Sequence, residues 1–149
     1  MQIMQIRALE KSDYTQWLPL WTANCLGKID QNVTNNTWRR MCDQADSGVN
    51  GLGLFIEDEL CGIVHYILHP VTGSLQPACY MQDVFIASIH RRKGFARALI
   101  EYLAMEGRAQ NWARIYWLAE KDNQPAQNLY KTLGIRLDFT LHILPTQDL

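Results

Sequence analysis

Asp83-Val-Phe-Ile-Ala-Ser-Ile-His-Arg-Arg-Lys-Gly-Phe-Ala-Arg-Ala-Leu-Ile, residues 83–100, is the stretch on which the fold reading turns. It begins inside a strand-like run from about Ala78 to Ala87. From Phe95 to Arg108 the spacing of Ala96, Leu99, Ile100, Leu103 and Gly107 becomes that of an amphipathic helix packed on a sheet. Arg91-Arg92-Lys93-Gly94 joins the two as a basic turn. A turn that delivers unpaired backbone N–H groups at a helix N-terminus is an anion site, and a glycine lets the backbone approach a ligand with no Cβ in the way. Arg91, Arg92, Lys93 and Arg97 add positive charge to the same place. Together these suit a pyrophosphate. The nucleotide loop that ends in Gly-Lys-Ser/Thr is absent, as is the Gly-x-Gly-x-x-Gly dinucleotide fingerprint.

Working outward, Met1 to Leu9 alternates apolar and polar residues as a half-buried first strand should. Ser12 is placed to cap a helix over Asp13 to Leu26, with Tyr14, Trp17, Leu18, Trp21 and Cys25 at helical spacing. Thr34 or Asn36 starts a second short helix carrying Trp38, Met41, Cys42 and Ala45, which Gly48 ends. Leu52 to Glu57 and Leu60 to His69 read as strands joined by a hairpin at Asp58-Glu59. Downstream of the central helix, Trp112 to Ala119 is a strand, and Asn123 with Pro125 just inside starts a helix that runs to Leu133. Gly134 stops that helix, and Ile135 to Leu144 is expected as a closing strand. The order is β-α-α-β-β-β-α-β-α-β, an α/β (α+β) fold with a mixed sheet.

The whole chain, 149 residues at 48% hydrophobic and 19% charged, is the size and composition of one globular domain, 1–149. A net charge of −1 offers no general pull toward nucleic acid or an anionic membrane. The longest apolar runs, such as Ile63 to Leu68, are far too short to span a bilayer, and MQIMQIR is no export signal. Cys25, Cys42, Cys61 and Cys79 lack any Cys-x-x-Cys pair and read as reduced core thiols, which points to a cytoplasmic protein. His65 and His69 share one face of a strand without an apparent third ligand, so they read as structural or surface residues and no metal is expected.

Two blocks carry a family resemblance. Arg91-x-x-Gly94-x-Ala96 fits the (Gln/Arg)-x-x-Gly-x-(Gly/Ala) pyrophosphate motif of the GCN5-related N-acetyltransferases (GNAT), and Asn123-x-x-Ala126-x-x-x-Tyr130-x-x-x-Gly134 resembles that family's second block. Their order and separation also fit, over Tyr80 to Ile135. Trp17 to Trp21, Tyr80-Met-Gln-Asp-Val-Phe-Ile and Tyr116-Trp117-Leu resemble the histone and polyamine acetyltransferase branch.

The resemblance implies the GNAT fold, acetyl-CoA as cofactor, and direct transfer of the acetyl group to a primary amine in a ternary complex. The acceptor is then a polyamine-like or aminoglycoside-like small molecule, or a lysine side chain. By the same likeness the cofactor lies along Val84, Phe85 and Ile86, with its pyrophosphate at Arg91, Arg92, Lys93, Gly94, Phe95, Ala96 and Arg97, and with Asn123 and Ala126 beside it. Tyr130 matches the general acid near the sulfur. Polyamine-acetylating relatives carry Glu-Asp where this chain has Gln82-Asp83, so residue 82 cannot be the base. Asp83 remains a candidate acting through water, and Tyr80 or Glu120 could bind or deprotonate the ammonium. The acceptor pocket of this fold would draw on Trp21, Asp30, Trp38, Asp43, Glu57 and Tyr116, where aromatic faces and carboxylates suit a cation. A CoA-binding regulatory module without turnover is the reading that Gln82 keeps open, and a longer acyl group is a third. Relatives often pair through their C-terminal strands, so Leu137, Phe139, Leu141 and Ile143 are expected to serve a homodimer or the core.

Overall fold

The computed structural model describes residues 2–43 and 46–147. Their contacts group into two compact units, Met1–Leu118 and Ala119–Leu149. The first unit is built on one five-stranded sheet, in the order β1 (Met4–Ala8), β2 (Val49–Ile56), β3 (Glu59–His69), β4 (Ala78–Ile86) and β5 (Ile115–Tyr116). Neighbours pair antiparallel from β1 to β4, and β5 joins β4 in parallel. The unit also holds α1 (Tyr14–Asn24), α2 (Gln31–Cys42) and α3 (Phe95–Gln110), while the second unit holds α4 (Gln124–Leu133). This is the mixed α/β class expected.

The apolar runs at the centre of the sheet explain its stability. Leu52, Leu54, Phe55, Leu60, Cys61, Ile63 and Val64 are all buried, so adjacent residues on β2 and β3 are covered on both faces. Leu9, Trp17, Leu20, Phe55, Leu60 and Ile63 form a core cluster, against which Trp21, Trp38, Met41 and Phe85 pack. Gly62 lies where a Cβ would come within 2.5 Å of Ile86 Cδ1, so a larger residue there would push aside the end of the Ile86 side chain.

Several boundaries differ from expectation, each for a local reason. Glu57 (φ 48) and Asp58 (φ 68) form the β2–β3 turn, one residue earlier than expected, because both central residues of a tight hairpin of this hand need positive φ and Glu59 already pairs with Ile56. The chain enters α1 through a 3-10 turn, Lys11–Asp13, instead of a Ser12 cap. There the Asp13 carboxylate accepts the Glu10 N–H at 2.7 Å and binds Arg7 through two contacts of 2.7 and 3.0 Å. Helix α2 starts at Gln31, before Thr34 or Asn36, because Asp30 caps it by accepting the Val33 N–H at 3.0 Å. It ends at Cys42, well before Gly48, and Ala45 lies outside the described residues.

Strand β5 is only Ile115–Tyr116, because the Trp112 N–H goes to Gly107 O at 2.9 Å and so serves the end of α3. The predicted strand over Ile135 to Leu144 does not form among the described residues, and Leu137, Phe139, Leu141 and Ile143 are exposed. Alternation permits a strand, but pairing with a partner edge is what holds one. No described helix is long and apolar enough to cross a membrane.

Candidate active site

The site elements of the first unit are spread along β4. At its far end a 3-10 turn, Ser88–His90, leads to Arg91–Gly94 and α3. Gly94 is the N-cap with φ 79, no side chain caps the helix, and a Cβ placed there would meet nothing within 4 Å. The backbone N–H groups of the first turn therefore face open space beside a residue whose conformation favours glycine.

The expected cations divide into two kinds. Arg91 donates from Nε to Ile86 O at 3.1 Å and lies 5.3 Å from the Phe85 ring centre, and Arg97 pairs with Glu101 at 3.4 Å. Arg92 and Lys93 are exposed, whereas Phe95 and Ala96 are half-buried. Strand β4 pairs with β5 only at Cys79 and Tyr80, so among the described residues the edge from Met81 to Ile86 has no strand partner on that side. Val84, Phe85 and Ile86 thus offer an open edge that runs to an uncapped, positively charged helix start. That combination fits a ligand with an amide-bearing arm and a pyrophosphate.

Nearer the middle of β4 the ladder is irregular. His65 faces Asp83 and Tyr66 faces Met81, which leaves Gln82 as the extra residue of a β-bulge, exposed to solvent. The bulge turns Asp83 back toward the sheet. Its Oδ2 lies 3.0 Å from His65 Nδ1, and its Oδ1 accepts from Asn24 Nδ2 at 3.2 Å. On the far side of the imidazole, Trp17 Nε1 donates to His65 Nε2 at 3.0 Å.

An indole N–H can only donate, so Nε2 must be the acceptor and Nδ1 must carry the proton that goes to Asp83, a tautomer assigned from the network. Trp17 is 0% and His65 3% exposed, while the Asp83 side chain keeps 25% of its surface in solvent. Burial acts to raise the Asp83 pKa, but the hydrogen bond and electrostatic attraction of His65, together with the hydrogen bond from Asn24, outweigh it and hold the carboxyl below its ordinary value. The result is an ionised carboxylate, anchored from behind and open in front.

The aromatic candidates fall into two groups. Tyr80 stacks on Tyr116 at 5.1 Å, and the Tyr116 hydroxyl is 2.7 Å from His69 Nε2. Burial, with Asp83 nearby, pushes the Tyr80 phenol up. Trp21 stacks on Trp17 at 5.4 Å, lies edge-on to His65 at 5.6 Å, and gives its N–H to buried Thr34 at 2.9 Å. Trp38 packs 4.6 Å from Trp17 in the core, and Asp30 is committed to the α2 cap. Asp43 pairs with Lys11 at 2.6 Å and Glu57 accepts the Ile3 N–H at 3.1 Å. Tyr80, Tyr116, Trp21 and Asp83 thus share one neighbourhood through His65 and the stacked rings, whereas Trp38 and Asp30 have structural work.

In the second unit Asn123 caps α4 by accepting the Ala126 N–H at 3.3 Å, as expected. Tyr130 lies one helical turn further on, half-buried, and burial pushes its phenol up. Glu120 is exposed, and its backbone carbonyl accepts from Gln127 Nε2 at 3.0 Å. Sequence reasoning missed Trp17, Asn24 and the role of His65. The one visible signal was a histidine inside an otherwise apolar strand.

Comparison with known proteins bears on this arrangement. The sequence profile of the Acetyltransferase (GNAT) family matches residues 5–135. A D-amino-acid N-acetyltransferase of Saccharomyces cerevisiae is 26% identical over 141 residues, covering 92% of this chain and 88% of its own. The crystal structure of a ribosomal-protein-alanine N-acetyltransferase from Brucella melitensis superposes with a TM-score of 0.78 at 20% identity, covering 96% of this chain and 99% of its own. The aminoglycoside acetyltransferase AAC(6')-Iy, bound to a CoA-linked bisubstrate analogue, superposes with a TM-score of 0.82 at 17% identity, covering 98% of this chain and 99% of its own.

Proposed function

Because the chain belongs to the GNAT acetyltransferase family and is an N-acetyltransferase that uses acetyl-CoA, we propose that its acceptor is a small primary amine, bound as a cation at Asp83. The observation that carries this reading is the anchored carboxylate itself: Asp83, held by His65 and Asn24, stays ionised and faces solvent beside the bulge. Polyamine-like and aminoglycoside-like amines fit such a site, and the yeast relative adds amino acids as a class to try. A lysine side chain carries the same ammonium.

When bound, acetyl-CoA supplies an activated acetyl thioester. Gly94 and the first turn of α3 hold its pyrophosphate, helped by Arg92 and Lys93, and the open edge at Val84, Phe85 and Ile86 receives its arm. Asn123 and Ala126 shape the start of α4 beside Tyr130. A carboxylate with a depressed pKa is a weak proton acceptor, because general bases work best with a pKa near the operating pH. Asp83 therefore binds the ammonium and orients a water that relays its proton to bulk solvent, with Tyr80, Tyr116 and Trp21 offering aromatic faces to the cation. Gln82, exposed on the bulge, brings no charge. Tyr130, whose pKa burial raises, keeps its proton at neutral pH and would supply it to a leaving thiolate. Glu120, exposed, adds a carboxylate of the kind that suits an amine. Four unpaired thiols suit a reducing, cytoplasmic setting, and the exposed alternation of Leu137 to Ile143 suits pairing into a homodimer. Light scattering of a concentration-independent monomer rejects that pairing.

The test is CoA release from acetyl-CoA against polyamines, aminoglycosides, free D- and L-amino acids and lysine peptides, with a no-acceptor control and a correction for the four cysteines. Acceptor-dependent release with a small amine supports the reading. Release only with lysine peptides moves the acceptor to protein, and no release with intact acetyl-CoA binding favours a CoA-binding module without turnover. Tyr130→Phe should keep acetyl-CoA affinity and lower turnover by roughly tenfold to a thousandfold, the scale of a lost acid catalyst. Unchanged turnover would assign the acid role to water.

A further inference from the structure

Behind the basic turn, and apart from the acetyl-transfer residues, the start of β3 and the turn Ser88–His90 bring together three side chains of metal-binding type. Glu59 and Cys61 sit two positions apart at the start of β3, where Cys61 is the extra residue of a bulge between Leu60 and Gly62. His90 reaches the same point from the end of β4. A carboxylate oxygen, the Cys61 sulfur and an imidazole nitrogen all lie within 4.8 Å of one another. Donors around a tetrahedral zinc ion, at bond lengths of about 2.0–2.3 Å, stand roughly 3.3–3.8 Å apart, so small side-chain adjustments close the set.

A second observation points the same way. Among the described residues, the buried His90 Nε2 makes no hydrogen bond, though it lies within ion-pair distance of Glu59 Oε1, at 3.4 Å. A buried polar atom left unsatisfied is costly, so it calls for an occupant or a reason. Burial and the Glu59 charge raise the Cys61 thiol pKa against a backbone hydrogen bond at Ile56 and the charge of Lys93, so the free sulfur keeps its proton. The backbone around the cluster is well tied, with the Ala87 N–H donating to Cys61 O at 2.9 Å and the His90 N–H to Ala87 O at 2.8 Å.

We propose that Glu59, Cys61 and His90 bind a divalent transition-metal ion of the zinc class. A mixed sulfur, nitrogen and oxygen donor set selects zinc-like ions over magnesium or calcium, which take oxygen ligands. Three protein donors leave a fourth position for water on the exposed Glu59 side. Binding breaks the Cys61 S–H bond, releases that proton to solvent and forms a sulfur–metal bond, with no change of oxidation state. Spacing along the chain conceals this set, because Glu59 and Cys61 lie on one strand and His90 beyond the next.

The experiment is a cobalt(II) titration of the metal-free full chain, followed by absorbance and reversed with zinc(II). One cobalt per chain, with a thiolate-to-cobalt charge-transfer band and the visible bands of a tetrahedral site, is expected. Cys61→Ser should abolish the charge-transfer band, and Cys42→Ser, at a half-buried thiol elsewhere, should leave it intact. His90→Gln should weaken cobalt binding by more than the roughly 10- to 100-fold that even an outer-shell partner is worth. No such band in the wild-type chain, or a band that survives Cys61→Ser, overturns the site. Should circular dichroism show Cys61→Ser to be unfolded, His90→Gln decides alone, and an unchanged affinity there overturns the proposal.

Discussion

At its far end β4 passes into a turn whose capacity for an anion comes from backbone: Gly94 with φ 79, an uncapped helix start and an edge with no strand partner. At its bulge, by contrast, everything depends on side chains that arrive from elsewhere. Trp17 and Asn24 come from α1 and His65 from β3, and the hydrogen bonds that link them to Asp83, Trp17 through His65, each span 18 to 59 residues of chain. The first construction is contiguous in the chain and tolerates most changes except at the glycine. The second is a relay of buried polar groups, in which each member satisfies the next, so one substitution leaves another group orphaned.

That difference orders the effects of mutation. Trp17→Phe should be the most damaging to stability, by about 3 kcal/mol, since it opens a cavity in the core and strands His65 Nε2 without its donor. Chemical denaturation measures it, and a loss below about 1 kcal/mol would mean the relay does not hold. Gly94→Val should cost about 1–2 kcal/mol of stability, because a branched residue disfavours this φ, and should weaken acetyl-CoA binding by roughly tenfold to a hundredfold, because its side chain fills the approach to the helix N-terminus. Calorimetric titration of acetyl-CoA reads that effect, and undiminished affinity would move the pyrophosphate elsewhere.

The smallest effect expected is that of Asn24→Ala, about 1 kcal/mol, from one hydrogen bond to a charged group that stays partly solvated. It carries a pH signature. Asp83 has a depressed pKa in the folded state, so its ionisation contributes stability that is fully present above the ordinary carboxylate pKa of about 3.9 and is lost as pH falls through the native value. Removing the Asn24 donor lets the native pKa rise toward the ordinary one. Acid unfolding followed by circular dichroism should then begin at higher pH in Asn24→Ala than in the wild type.

The same contrast explains what could be read in the sequence. The strand, basic turn and helix around Gly94 and the Asn123 cap of α4 were legible because each is specified by residues within one or two turns of itself. The start of α2 was not, because Gln31 and Asn32 carry no apolar periodicity and only the contact from Asp30 to Val33 reveals the cap. Ile135 to Leu144 shows the opposite failure: its alternation is clear, yet a strand needs a paired edge, which alternation does not supply. The amide at Gln82 is plain in the sequence, but a bulge is a property of two strands, so the turning of Asp83 toward His65 became visible only once β3 lay beside β4.

Asp83→Asn is the most direct test of the central claim, that an anchored carboxylate at the bulge receives the acceptor amine. The amide keeps one oxygen, for the His65 Nδ1–H, gives up the acceptor that Asn24 uses and loses the charge. With an acceptor found active on the wild-type enzyme, CoA release should fall by roughly a hundredfold or more, with KM for the amine raised and acetyl-CoA affinity unchanged. Equal turnover and KM in the folded variant would contradict the account and place the ammonium at another group.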